Sequence, residues 1–170
     1  MTKTAAVIGG GPAGLMAAEM LAKVGVSVTV YDAKPSLGRK FLMAGKSGLN
    51  LTKDEGLEAI LEAYGAHSEE MRPMVSVFDA QKLQGWVRSL GQPLFIGSTR
   101  RVFPEAMKAS PLLRAWFERL DELDVTRVTH WKFSGWSGDG LQFDTPEGPQ
   151  LVQADVTVLA LGGASWAKLG

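Results

Sequence analysis

Cysteine is absent from the 170-residue chain. That excludes a disulfide framework, thiolate-bound zinc or iron–sulfur centres, and any cysteine nucleophile. Histidine is scarce too. His67 and His130 stand far apart, and there is no cysteine to accompany them, so no metal site is expected. Neither sign of charge is in excess, with 18 basic and 18 acidic residues. A strong nucleic-acid or anionic-membrane binder would carry a basic surplus, so no nucleic-acid partner is expected. Long apolar runs are also missing. Thr4 to Ala18 carries no charge, yet three consecutive glycines and Pro12 interrupt it. No stretch reaches the roughly 18–20 apolar residues that span a bilayer. The sequence reads as soluble and cytoplasmic, without a membrane partner.

What is present is ordinary globular composition, 45% hydrophobic and 21% charged, in a length suited to one modest domain. Glycine is enriched: 20 residues, where average usage gives about 12. Charge is uneven along the chain. Residues 1–50 hold six basic and two acidic groups, whereas 51–105 and 106–170 each hold six and eight. A positive first third suits an anionic ligand.

The pattern opens with a β-α-β unit. Thr4 to Ile8 is a short apolar run, Pro12 to Val24 has helical composition closed by Gly25, and Val26 to Tyr31 is a second strand ending at Asp32. Such a unit implies a parallel sheet with a right-handed crossover. A Gly- and Lys-containing segment follows to Thr52. Helices are predicted over Asp54–Tyr64, over Asp79–Leu90 with Asp79 as N-cap, and over Glu105–Leu120, with one or two short strands in Pro93–Phe103. Residues 53–104 read as a mainly helical insertion. Val125–Trp131, Phe133–Trp136, Leu141–Thr145 and Gln150–Gln153, punctuated by tight turns, predict a small antiparallel meander. Asp155 to Leu161 is a last apolar strand that stops at Gly162–Gly163.

Gly9, Gly11 and Gly14 form G-x-G-x-x-G between the first strand and the first helix. In this context Gly9 permits the tight turn, Gly11 lets a pyrophosphate approach the backbone, and Gly14 permits close helix–sheet packing. The pyrophosphate lies over the helix N-terminus, where Pro12 costs no needed N–H. Asp32 follows Gly9 at the distance expected of an acid that accepts from a ribose 2′-OH, and it disfavours a 2′-phosphate. Gly45-Lys46-Ser47 resembles the end of a phosphate-binding P-loop, but Lys40 stands where that motif needs its first glycine.

The fingerprint alone leaves FAD and NAD open. An N-terminal fingerprint, a Lys/Gly loop after the second strand, a meander crossover and a late strand ending in Gly-Gly together match the layout of two-dinucleotide-domain flavoproteins. The expected fold is α/β, a Rossmann-like FAD/NAD(P)-binding domain with a parallel sheet and a small antiparallel β-meander crossover. The chain resembles the YhiN/BaiN-like NAD(P)/FAD-dependent oxidoreductases. The resemblance is carried by VIGGGPAGLMAAEML at Val7–Leu21, GRKFLMAGKSGLNLT at Gly38–Thr52, RVFPEAMKASPLLRAW at Arg101–Trp116 and LALGGASWAKLG at Leu159–Gly170. The cysteine that much of the family carries before the position of Asn50 is Leu49 here, so no cysteine chemistry transfers.

The resemblance implies that Gly9, Gly11, Pro12, Ala13 and Gly14 hold the FAD pyrophosphate and Asp32 the adenosine ribose. It places Lys40, Gly45, Lys46, Gly48 and Asn50 along the ribityl and flavin side, a backbone group at His130 or Trp131 against the adenine, and Gly162–Gly163 over the cofactor. It further implies NAD(P)H as a transient electron donor and a small organic substrate, an activated C=C bond among the candidates. No side chain stands out as catalytic acid or base. Family members are about twice as long, so the return segment and second domain are expected to be absent and the FAD domain incomplete. The missing C-terminal part or a second copy of the chain would then be the macromolecular partner. Two other readings are an NAD-binding dehydrogenase domain and a non-catalytic structural or interaction domain.

Overall fold

A computed structural model describes residues 2–45 and 48–163, and these fall into two compact units: residues up to 43 with those from 117 onward, and residues 44–116. Strand β1 (Thr4–Ile8) is buried from Ala5 to Ile8, as expected of an apolar run inside a parallel sheet. Helix α1 (Pro12–Lys23) follows with small residues on its buried side, among them Gly14 and Ala18, which let it lie close. Its end is set by Gly25, whose φ of +82° and bond from N–H to the Ala22 carbonyl (2.9 Å) close the last turn. Strand β2 (Ser27–Tyr31) then pairs parallel with β1, Ala5 opposite Val28. A short helix α2 (Arg39–Ala44) comes next.

The second unit contains β3 (Thr52–Lys53), α3 (Leu57–Glu62), a 3-10 turn at Gly65–His67, α4 (Ser68–Val77), α5 (Ala80–Ser89), β4 (Leu94–Ile96) and β5 (Arg101–Pro104). Its strands form an antiparallel sheet in the order β3-β5-β4. Asp79 caps α5 as predicted, its carboxylate accepting the Lys82 N–H at 2.8 Å. The helix predicted over Asp54–Tyr64 shrinks to α3. Helix α4, which carries an internal Pro73, was not foreseen. Proline reads as a breaker, but α4 accommodates it. Helix α6 (Ala109–Glu122) starts later than predicted because Met107 adopts φ +54° and donates its N–H to the Pro104 carbonyl, which is a turn. The unit has its own core, with Trp86 and Trp116 edge to face at 4.6 Å and Leu61, Val87, Val102 and Leu112 buried.

The chain then returns to the first unit. Strands β6 (Thr126–Val128), β7 (Lys132–Ser137), β8 (Gly140–Thr145), β9 (Gly148–Val152) and β10 (Val156–Leu159) complete it. The parallel sheet has the order β10-β1-β2-β6, while β7, β8 and β9 form the antiparallel meander. One predicted meander strand therefore belongs elsewhere. Asp124 turns the chain at φ +55°, and Thr126–Val128 runs parallel to Thr29–Tyr31. Its β-branched residues suit either sheet, so pattern alone did not decide. The meander and the parallel sheet share one cluster: Ala6, Ile8 and Tyr31 pack with Leu141 and Phe143, flanked by Trp131 and Phe133. Tyr31 and Phe143 rings lie 4.7 Å apart, and burial holds the Tyr31 phenol above its ordinary pKa. Among the described residues no helix is long and apolar enough to cross a membrane.

Candidate functional site

The carboxyl ends of β1, β2 and β10 frame a groove within the first unit. It is lined by Gly9 to Ala13, by Asp32, Lys34, Ser36 and Gly38 to Lys40, and by Ala160 to Gly162. Ligands of open parallel sheets bind at this end of the strands. The local sequence builds the floor. Gly9 takes φ +109°, and a Cβ there would overlap the Ala160 carbonyl oxygen. A Cβ on Gly14 would overlap the Gly9 carbonyl oxygen, so only glycine lets α1 start this close to β1. A Cβ on Gly11 meets nothing within 4 Å among the described residues. Protein packing thus requires glycine at Gly9 and Gly14, whereas at Gly11 the space is left for something else. Gly11 is the N-cap of α1, and among the described residues no side chain caps it, which leaves the first-turn N–H groups without a side-chain acceptor there.

Asp32 is held by the main chain. One carboxylate oxygen accepts the Gly10 N–H at 2.7 Å and the other the Lys34 N–H at 2.8 Å. The Asp32 main chain in turn ties β2 to the segment after β6: its N–H donates to the Val128 carbonyl, and its carbonyl accepts from the Trp131 N–H. Among the described residues, three cations border the groove. Lys34 and Arg39 line it, and Lys40 reaches the Gly163 carbonyl with its ammonium at 3.1 Å. Arg39 donates to Ser36 Oγ at 3.3 Å, while its Nε is buried without a hydrogen-bond partner among the described residues. A buried guanidinium donor left open, beside a glycine turn and an uncapped helix start, fits a ligand with several anionic oxygens.

The predicted residues divide among these places. Gly9, Gly11, Pro12, Ala13, Asp32, Lys40 and Gly162 line the groove, Gly14 is buried beneath it, and Gly163 accepts the Lys40 bond. His130 is exposed at φ +62° and does not line the groove; its N–H donates to the Lys34 carbonyl at 3.2 Å. Gly45, Gly48 and Asn50 belong to the second unit. There Gly45 packs against Ala109 at the start of α6, Gly48 takes φ +130° beside Met107, and Asn50 is exposed. Lys46 lies outside the described residues. Sequence reasoning missed Gly10, Lys34, Ser36 and Arg39. For Arg39 a signal existed, since it precedes Lys40 in the Gly38–Thr52 block. Lys34 belongs to the basic first third of the chain, which pointed to the region without singling it out. For Gly10 no signal existed, because its contribution is a main-chain N–H.

Comparison with known proteins accords with this architecture. A family profile described as the HI0933-like protein Rossmann domain matches residues 3–170. The chain is similar to the ribosomal RNA dihydrouridine synthase of Haemophilus influenzae, 51% identical over 49 residues, which is 29% of this chain and 12% of that protein. It is similar to the thiamine thiazole synthase of Methanosarcina barkeri, 35% identical over 94 residues, covering 53% of this chain and 36% of that one. Among solved structures, 3-ketosteroid-delta4-(5alpha)-dehydrogenase from Rhodococcus jostii superposes with a TM-score of 0.73 at 16% identity, over 95% of this chain and 46% of that chain. The last likeness is one of fold. In each case the match spans less than half the length of the other protein.

Proposed function

The chain belongs to the HI0933-like protein Rossmann-domain family, and from that premise we propose that it is the cofactor-binding part of an FAD-dependent oxidoreductase of the YhiN/BaiN-like kind. Its fold is that of Rossmann-type FAD/NAD(P)-binding oxidoreductases. The observation that carries the proposal is the Asp32 carboxylate, fixed by the Gly10 and Lys34 N–H groups at the edge of the glycine turn. An acid already ordered by the backbone accepts a ribose hydroxyl at little further entropic cost, and it repels a 2′-phosphate.

Bound FAD supplies the hydride carrier, at its N5 atom, and the protein supplies orientation and electrostatics. The start of α1, with Ala13 and Gly14, takes the pyrophosphate. Lys34 and the open Nε donor of Arg39 offset its charge. By the family resemblance, Gly45, Lys46, Gly48 and Asn50 attend the ribityl and flavin side, and the main chain at His130–Trp131 attends the adenine. NAD(P)H is the proposed donor, and a small organic molecule with an activated C=C bond the acceptor. No described side chain is assigned as acid or base.

The likeness to a ribosomal RNA dihydrouridine synthase favours a second acceptor, the C5=C6 bond of a uracil ring in RNA. The even charge balance weighs against it, because phosphate-backbone binding draws on a basic surplus. Dihydrouridine that disappears from ribosomal RNA when the gene is deleted would decide for it.

Purified full-length protein is expected to show flavin absorption in the near-ultraviolet and blue, to release FAD on denaturation, and to oxidise NAD(P)H. A folded preparation that refuses FAD and binds NAD would mark an NAD-binding dehydrogenase domain instead. FAD retained without any NAD(P)H oxidation would mark a non-catalytic domain.

A further inference from the structure

Among the described residues, one side chain joins two walls of the groove. One wall is the strap beyond β10, Ala160 to Gly162; the other is the segment from Asp32 to Lys40. Main-chain contacts fix the near end of the strap. The Ala160 N–H donates to the Ile8 carbonyl at 2.8 Å, and the Ala160 carbonyl lies against Gly9. The far end is different: Leu161, Gly162 and Gly163 are exposed, and Gly162 takes φ +77°. There the Lys40 ammonium donates to the Gly163 carbonyl at 3.1 Å and lies 3.9 Å from where a Cβ of Gly162 would stand.

We propose that Lys40 is a latch: it ties the strap across the mouth of the groove, so that a ligand enters and leaves when the Lys40–Gly163 bond opens. The inference rests on reading the groove as a dinucleotide site. Its chemistry suits the task. A lysine head on a four-carbon stem can change partners without moving its backbone. A solvent-exposed bond to a neutral carbonyl is weak enough to open often. Two consecutive glycines give the strap the freedom to swing once it is released.

A latch and a plain cofactor ligand differ in kinetics. Removing a latch speeds entry and exit together, whereas removing a ligand contact speeds exit alone. The test is stopped-flow FAD binding to the full-length protein and its Lys40→Met and Lys40→Arg variants, in about 0.3 M salt so that long-range attraction is screened. Lys40→Met is expected to raise both rate constants about two- to tenfold, the scale of one exposed hydrogen bond, and to change Kd less than either. Lys40→Arg, which keeps a donor, is expected to recover the parent rates. Faster dissociation with unchanged association would overturn the latch and make Lys40 an ordinary ligand.

Amide hydrogen exchange at residues 161–163 tests the latch without FAD. It should rise in Lys40→Met and fall back in Lys40→Arg, and unchanged exchange would also overturn the proposal. If the parent protein binds no FAD yet exchange responds in this way, the cofactor reading fails and the latch stands.

Discussion

Gly9 and Gly11 sit two residues apart in one motif and answer to different constraints. Alanine at Gly9 would overlap the Ala160 carbonyl and sit at φ +109°, a conformation that L side chains avoid. Gly9→Ala is expected to cost stability, about 1–3 kcal/mol, along with the cofactor site. Alanine at Gly11 meets open space at φ −82°, so Gly11→Ala should cost less than about 1 kcal/mol, the scale of a changed N-cap. Its FAD affinity should nonetheless fall at least about tenfold, since a methyl now occupies the phosphate approach. Denaturant unfolding alongside FAD titration separates the two. Equal loss of stability in both variants would contradict the division. The G-x-G-x-x-G spacing made both glycines visible in the sequence. What distinguishes them is the carbonyl of Ala160, brought from the far end of the chain.

Among elements, β1 and β10 illustrate how pairing is secured at a strand end. The Asp155 carboxylate accepts the Thr4 N–H at 2.7 Å and the Thr4 hydroxyl at 2.8 Å, and the Asp155 N–H returns a bond to that hydroxyl at 3.1 Å. These bonds hold the Asp155 carboxyl below its ordinary value of 3.8, with Lys3 adding to the effect. A lowered folded-state pKa stabilises the fold above the unfolded value, and that contribution is lost as pH falls through the folded value. Asp155→Asn is therefore expected to melt below the parent near neutral pH and to converge with it as pH drops below 3.8. A gap in thermal midpoint that persists in acid would contradict this origin. Helices α1 and α6 are linked by a different device: the fully buried Glu19 pairs with Lys23 at 2.6 Å on its own helix and with Arg119 of α6 at 3.7 Å. In the sequence Glu19 reads as one surface charge among many, because nothing local announces that Arg119 will reach it.

At the scale of the molecule, balanced charge leaves no strong global field to steer an anion, and attraction is local to the groove. Among the described residues, the cations Lys34, Arg39 and Lys40 border it against the one carboxylate of Asp32. FAD association is expected to slow a few-fold between about 0.05 and about 0.5 M salt and then to level off, as a short-range field predicts. Stopped-flow binding across that range checks it; a rate insensitive to salt would show that these cations do not guide entry. The uneven charge along the sequence, with six basic groups in the first fifty residues, already pointed to this part of the chain. Only folding shows that Lys34, Arg39 and Lys40 gather at the groove while Lys3 and Lys23 stay away from it.

The sequence by itself determined the β-α-β opening, the glycine turn, the acid at the end of β2 and the closing Gly-Gly strand. Each is written in local periodicity or in residues whose backbone freedom has no substitute. Tertiary structure decided what depends on distant partners. Thr126–Val128 joined the parallel sheet rather than the meander because Tyr31 and its neighbours offered an edge, and β-branched residues suit either place. Gly10 and Lys34 became part of the site through main-chain N–H groups that every residue but proline carries. Lys40 met Gly163 across more than a hundred residues. Such contacts leave no trace in spacing, because the free energy that selects them comes from packing the whole unit.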